Sequence, residues 1–173
     1  MTRVVIIGNA GGGKSTLCRA IAQAKGIQHF AVDLIQWQPN WVPTPEVEVI
    51  RTIDTIINQE KWIIDGFGPS VSIQKRMDAC DTIVFVDLPI WVHFWWATKR
   101  QIRSVFKGRE DGPEGCPMLP VTIKLYKMIW EIHKRIRPTL LQQITKYDGL
   151  KRVVHIKTPQ QLRHFAASMQ NGA

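Results

Sequence analysis

Five short apolar runs punctuate the chain, and the stretches between them carry apolar residues at helical spacing. Residues 3–8 (RVVIIG), 28–32 (QHFAV), 61–65 (KWIID), 81–88 (DTIVFVDL) and 151–158 (KRVVHIKT) read as buried strands. A helix is expected over 14–25, with Leu17, Ala20, Ile21 and Ala24 inward. Another is expected over 45–59, where Val49, Ile53, Ile56 and Ile57 recur at helical spacing behind acids in the first turn. Further helices follow over 70–77, 89–106 and 159–169, and a long one over 121–145 has the inner stripe Leu125, Ile129, Ile132, Ile136 and Leu140. Strands alternating with helices imply an α/β protein whose parallel sheet is covered on both faces.

Two segments break the pattern. "DLIQWQPNWVPTP" (33–45) sets Trp37 and Trp41 among Pro39, Pro43 and Pro45, so neither a regular helix nor a central strand is expected there. Its two rings either cap the core from outside or wall a binding site. "KGREDGPEGCPMLP" (107–120) is rich in glycine, proline and charge and reads as a loop excursion. With 173 residues, a single domain is expected, without repeat or linker.

Composition narrows the class. With 45% hydrophobic and 21% charged residues the chain is expected to be globular. No 18-residue apolar run or secretory leader is apparent, so no membrane association is expected. Cys18, Cys80 and Cys116 lack metal or disulfide spacing, which points to buried thiols and a cytoplasmic location. The net charge of +9 favours anionic partners. Much of it crowds between Lys99 and Arg137.

The most specific chemistry lies at "GNAGGGKST" (8–16), a G-x-x-x-x-G-K-[ST] motif set between a strand and a helix. Gly8, Gly11, Gly12 and Gly13 let successive amides face inward as an anion nest, and the helix N-terminus adds its unpaired N–H groups. Lys14 is expected to reach the β- and γ-phosphates of ATP, Ser15 to ligate Mg²⁺ and Thr16 to touch the α-phosphate. Parallel strands share a carboxyl edge, so Asp65 is expected beside this cradle, holding the Mg²⁺ hydration shell. Asp87 also ends a strand and is read either as a similar group or as a cap for the next helix. Asp33 is either a base or orienting group for a phosphoryl acceptor, or a loop cap. On the helix from Ile90, Trp96, Arg100, Arg103 and Lys107 share one face. Trp91, Trp95, Ile102 and Phe106 fall near another and read as core.

These motifs, with "DGF" after the third strand, "FVDLP" after the fourth and a basic helix–lid–helix insert, resemble the adenylate kinase-like nucleoside monophosphate kinases. "D-x-I-x-W-x-P-x-W-x-P-x-P", "WIIDG" and the final "IKTP" resemble a bacterial subgroup of that family labelled DNA topology modulation proteins. The resemblance implies a three-layer α/β/α sandwich, a P-loop NTPase fold with a five-stranded parallel sheet and a small helical lid. It implies an ATP- and Mg²⁺-dependent phosphotransferase acting on a nucleoside monophosphate or another small acceptor. In the family pattern, arginines around the lid clamp the transferring group, which would fall to Arg100, Arg103, Arg135 and Arg137, with Lys99 and Arg109 weaker matches. The backbone of Lys157, Thr158 and Pro159 falls where the adenine edge lies. The acceptor would meet Asp33, Trp37, Trp41, Gly66 and the acceptor-side segment 33–60.

Two departures concern the substrate. "DGFGPS" lacks the arginine that adenylate kinases use on the AMP phosphate, leaving Arg76 as the substitute or a different acceptor. Trp95-Trp96 stands where an arginine stacks on adenine, so Trp96 is read either as a base-stacking ring or as core. Two other classes stay open: an ATP-binding nucleic-acid protein using the basic and aromatic surface, less favoured because a nucleotide lid accounts for the same charges, and a regulatory ATPase without an acceptor.

Overall fold

β-Branched runs flanked by amphipathic helices form a parallel sheet because each strand then buries both of its faces. A computed structural model describes residues 1–107 and 119–171. The strands of the main sheet are β1 (Arg3–Gly8), β2 (His29–Ala31), β5 (Trp62–Asp65), β6 (Thr82–Val86) and β7 (Arg152–Ile156). They stand in the order β2-β5-β1-β6-β7, every neighbouring pair parallel. The five expected strands are therefore present, and the fold is the expected α/β sandwich.

Alternation along each strand sorts the core into two layers. Val5, Ile7, Ile64, Ile83 and Phe85 face α3 (Glu46–Ile57), α4 (Ser70–Ala79) and α7 (Arg137–Thr145). Val4, Ile6, Ile63, Val84 and Val86 face α1 (Lys14–Lys25) and α8 (Pro159–Asn171). A third cluster lies between α5 (Ile90–Lys107) and α6 (Thr122–Glu131), around Ala97, Leu125 and Ile129. Among the described residues, no helix is long and apolar enough to cross a membrane.

Three expectations are corrected. Within 33–45, Val32–Gln36 (α2) makes a helical turn. The proline restrictions begin only beyond it, and Asp33 in its first turn suits the helix dipole. Trp37–Gln38 (β3) and Val42–Pro43 (β4) then close a small antiparallel hairpin apart from the main sheet. On α5, Trp91 and Trp95 are not core: they are 66% and 56% exposed, and Ile102 is exposed as well. Lys99 Nζ lies 5.5 Å from the Trp95 ring centroid. The expected helix over 121–145 is interrupted by a π-helical turn, Ile132–Ile136, whose extra residue rotates the apolar stripe. Leu125, Ile129, Ile132 and Leu140 stay buried, but Ile136 is 41% exposed and Ile144 takes up the inner face. The expected lid lies almost wholly outside the described residues, with Arg109, Cys116 and the Phe106 side chain.

The start of β6 is tied to the N-terminus by one carboxylate. Asp81 Oδ2 accepts from the backbone N–H groups of Thr2 (2.7 Å) and Arg3 (2.8 Å), and Oδ1 accepts from the Thr82 hydroxyl (2.6 Å). Partial burial works to raise the Asp81 pKa, but these donors outweigh it and bring it from 3.8 to about 2. A depressed carboxylate pKa adds stability above the unfolded value of 3.8 and loses it as pH falls through about 2. After allowance for solvent screening the contribution is on the order of 1 kcal/mol. Urea unfolding of Asp81→Asn should show that deficit at pH 7, shrinking steadily between pH 4 and pH 2. A deficit independent of pH would show that the charge is not what ties these elements.

Candidate active site

The turn from β1 into α1 is a backbone arch. Gly8 has φ 156°, and a Cβ there would stand 2.2 Å from the Val86 carbonyl oxygen, so only glycine lets β1 end this close to β6. Gly11 has φ 69°, and a Cβ would meet the His93 carbonyl oxygen at 2.7 Å. A cradle that closed to side chains suits phosphate oxygens held by amides.

Neighbouring elements hold the arch. Asn9 Nδ2 donates to the Ile129 carbonyl on α6 at 2.7 Å, and its Oδ1 accepts from Ala10 N–H at 2.8 Å. His93, buried on α5, has Nδ1 at 2.9 Å from the Ala10 carbonyl. Burial brings the His93 pKa down to about 4, so the ring is neutral at pH 7 and Nδ1 carries the donated proton. Trp96 and Leu162 both press on Gly13, each with an atom 3.1 Å from where a Cβ would stand. Trp96 also packs into the core layer under α1. Sequence reasoning did not single out Asn9 or His93. Asn9 lies in an unspecified motif position, and His93 is a lone polar residue on a mostly apolar helix.

Charges converge on this arch. Lys14 Nζ donates to the Asn9 carbonyl at 2.8 Å. Desolvation lowers the Lys14 pKa, while Asp65 and Asp33 pull it back up and Arg100 pushes it down. Asp33 and Arg100 are therefore both within electrostatic reach of the motif lysine. Ser15 Oγ donates to Asp65 Oδ2 at 3.0 Å, and His29 Nε2 lies 3.1 Å from Asp65 Oδ1. Burial works to raise the Asp65 pKa, but His29, Lys14 and Ser15 outweigh it and keep the carboxylate ionised. A hydroxyl and a carboxylate side by side at the cradle suit a hard, oxygen-seeking cation, so Ser15 and Asp65 fit Mg²⁺. Thr16 is exposed on the first turn of α1.

Elsewhere the structure places candidates differently from the sequence reading. Arg76 is fully buried and donates to the carbonyls of Gly66 (2.9 Å), Phe67 and Ser72 (3.0 Å). It braces the loop after β5 instead of reaching an acceptor, and burial brings its pKa down to about 10. Gly66, with φ 102°, is held by that brace. Asp87 caps no helix here: it accepts two hydrogen bonds from Arg137, at 2.5 and 2.9 Å, and lies 2.9 Å from His155 Nε2. Arg137 is therefore engaged at the sheet edge, next to Gly8 and Asn9. Arg103 and Arg135 are exposed. Lys157, Thr158 and Pro159 lead into α8, where Lys157 N–H donates to Gln161 Oε1 (2.7 Å) and Thr158 Oγ1 accepts from Gln161 N–H (3.1 Å). Within this backbone stretch, expected at an adenine edge, the Lys157 N–H is taken up by the helix cap.

Trp37 and Trp41 are half-buried and meet edge to face, centroids 5.7 Å apart. Trp41 also leans on the α5–α6 cluster. Asn40 and Trp41 have φ 62° and 61°, a conformation that costs energy for a residue as bulky as tryptophan.

Solved structures share this architecture. A shikimate kinase from Acinetobacter baumannii in complex with shikimate aligns with TM-score 0.61 at 13% identity, covering 98% of this chain and 90% of that one. A gluconokinase from Sinorhizobium meliloti 1021 aligns with TM-score 0.55 at 16% identity, covering 99% and 90%. A shikimate kinase from Aquifex aeolicus aligns with TM-score 0.51 at 15% identity, covering 98% and 97%. No family model matches the chain, and no curated protein matches it in sequence. The fold is thus that of P-loop α/β kinases.

Two substitutions test the supports. His93→Phe keeps the ring and removes the bond to Ala10, so nucleotide affinity measured by calorimetry should fall about 2- to 10-fold, the worth of one hydrogen bond. Unchanged affinity would show that the arch keeps its shape without it. Arg76→Met strands the Gly66 and Phe67 carbonyls and should cost about 2–4 kcal/mol in urea unfolding. A loss below about 0.5 kcal/mol, the scale of an ordinary surface substitution, would show that the loop is held by other contacts.

Proposed function

We propose that the chain is an ATP- and Mg²⁺-dependent phosphotransferase that moves the γ-phosphoryl of ATP to a small acceptor. The observation that carries this reading is the Ser15–Asp65 pair beside a glycine-rich arch, with Asp65, Asp33 and Arg100 all in electrostatic reach of Lys14. The shared fold with shikimate kinase and gluconokinase supports it. So does the resemblance of the W-x-P-x-W-x-P loop to an adenylate kinase-like subgroup.

Mg²⁺ supplies charge neutralisation on the phosphates when it is bound with ATP. The chain's own residues orient the reaction. The amides of Gly11 to Lys14 hold phosphate oxygens, Lys14 exchanges its bond to the Asn9 carbonyl for the phosphates, and Ser15 and Asp65 hold the cation's ligand shell. Arg100 stabilises charge on the transferring group, joined by Arg103, Arg135 and Arg137 where closure of the helices brings them in. Asp33 takes the proton of an acceptor hydroxyl, and Trp37 and Trp41 wall its pocket. Since Arg76 is committed to loop carbonyls, a small hydroxylated acceptor suits this side better than a nucleoside monophosphate.

A coupled ADP-release assay over hydroxy acids including shikimate and gluconate, nucleosides and nucleoside monophosphates tests the reading. Acceptor-stimulated turnover should appear for one class and fall at least 100-fold in Lys14→Ala. Asp33→Asn should lower kcat by about 10²-fold or more. Trp37→Ala should raise the acceptor KM while the melting temperature holds. ATP binding without any acceptor-stimulated turnover would overturn the transfer reaction.

A further inference from the structure

Three ligand-type side chains from three elements meet on the sheet face that α1 covers. His29 pairs with Ile63 across β2 and β5, and Asp65 is two residues beyond Ile63, so His29 and Asp65 project to the same face. Ile63 packs with Leu17, Cys18 and Ile21 of α1, which sets the Cys18 thiol over that face. The Cys18 sulfur, an imidazole nitrogen of His29 and a carboxylate oxygen of Asp65 all lie within 4.8 Å of one another. Cys18 and Asp65 are buried, while the His29 side chain keeps 17% exposure and gives the cluster an edge toward solvent.

We propose that Cys18, His29 and Asp65 form a binding site for a borderline-soft divalent cation of the Zn²⁺ type, separate in ligand chemistry from the Mg²⁺ position. Thiolate, imidazole and carboxylate are the ligand set Zn²⁺ takes. Mg²⁺ seeks oxygens and keeps its waters. Metal–ligand distances of about 2.0–2.3 Å place tetrahedral ligands roughly 3.3–3.8 Å apart. The three atoms therefore reach a common centre by about 1 Å of side-chain movement, with a fourth position left for water.

The two cations would share Asp65 by its two oxygens. Oδ1 already faces His29, and Oδ2 faces Ser15. A cation between Cys18 and His29 would use Oδ1 and leave the Ser15 bond on Oδ2 in place. Apolar packing accounts for Leu17 and Ile21 on this helix face, and a thiol can pack there too. It does not account for an imidazole and an ionised carboxylate converging on that thiol.

Zn²⁺ titration of the full chain, with Co²⁺ as the spectroscopic probe, tests the site without nucleotide. One ion per chain is expected, and Co²⁺ should give a thiolate-to-metal charge-transfer band with tetrahedral d–d absorption. Cys18→Ser should abolish the band and weaken Zn²⁺ binding at least tenfold. His29→Gln, at the edge toward solvent, should weaken it comparably with the fold intact by circular dichroism. Cys80→Ser and Cys116→Ser should keep the band. Failure of the wild type to bind Zn²⁺ stoichiometrically, survival of the band in Cys18→Ser, or unchanged affinity in His29→Gln would each overturn the proposal. Because no readout involves ATP, such a result would leave the phosphotransfer reading untouched.

Discussion

A backbone arch built mostly of glycine has few side chains with which to hold its own shape, so the Gly8–Gly13 turn depends on ties to neighbouring elements. Asn9 ties it to α6, His93 ties it to α5, and Trp96 and Leu162 close on Gly13 from α5 and α8. Val86 stands where a Cβ of Gly8 would be. Glycine makes the arch possible at an entropic cost, and surrounding helices remove the freedom that glycine brings. The same helices, α5 and α6, lead to the basic insert. The arch is thus joined to α5 and α6 through two hydrogen bonds and one small apolar cluster.

Charge at the carboxyl edge of the sheet is balanced locally. Asp65 and Asp33 favour the charge on Lys14, and Arg100 opposes it. Asp87, at the end of the next strand, is held by Arg137 and His155. Burial would push Asp65 and Asp87 toward neutrality, but donors on each keep them ionised. A site arranged this way holds charge in place with little need to reorganise, the condition under which electrostatic stabilisation of phosphoryl transfer is most effective.

The Trp37–Trp41 hairpin sits beside this edge with two consecutive residues in the left-handed region. Such a conformation persists only where the surroundings over-determine it. Trp41's contact with the α5–α6 cluster and the hairpin pairing of Trp37 with Pro43 supply that constraint. The two rings are thereby shared between packing and surface.

Much of this protein was legible in its sequence because the signals were local. Five apolar runs, helical spacing on Val49, Ile53 and Ile56, and the glycine-rich motif each depend on neighbours in the chain, and each formed as expected. Asp65 was placed beside Ser15 by the shared edge of parallel strands alone. The misplacements were of another kind. Trp91 and Trp95 have the composition of a core face, but what covers a helix face is decided by elements distant in sequence. Ile136 left the inner stripe because one π turn shifted the phase, and nothing in the apolar spacing marked that turn. Arg76 carries the charge of a phosphate ligand, yet the β5–α4 loop folds its carbonyls onto it. The chain by itself determined the elements and the glycine-rich arch, since backbone periodicity and glycine conformation are properties of short segments. Only the tertiary structure decided which polar side chains meet, such as Cys18, His29 and Asp65, because those distances depend on how separate elements pack.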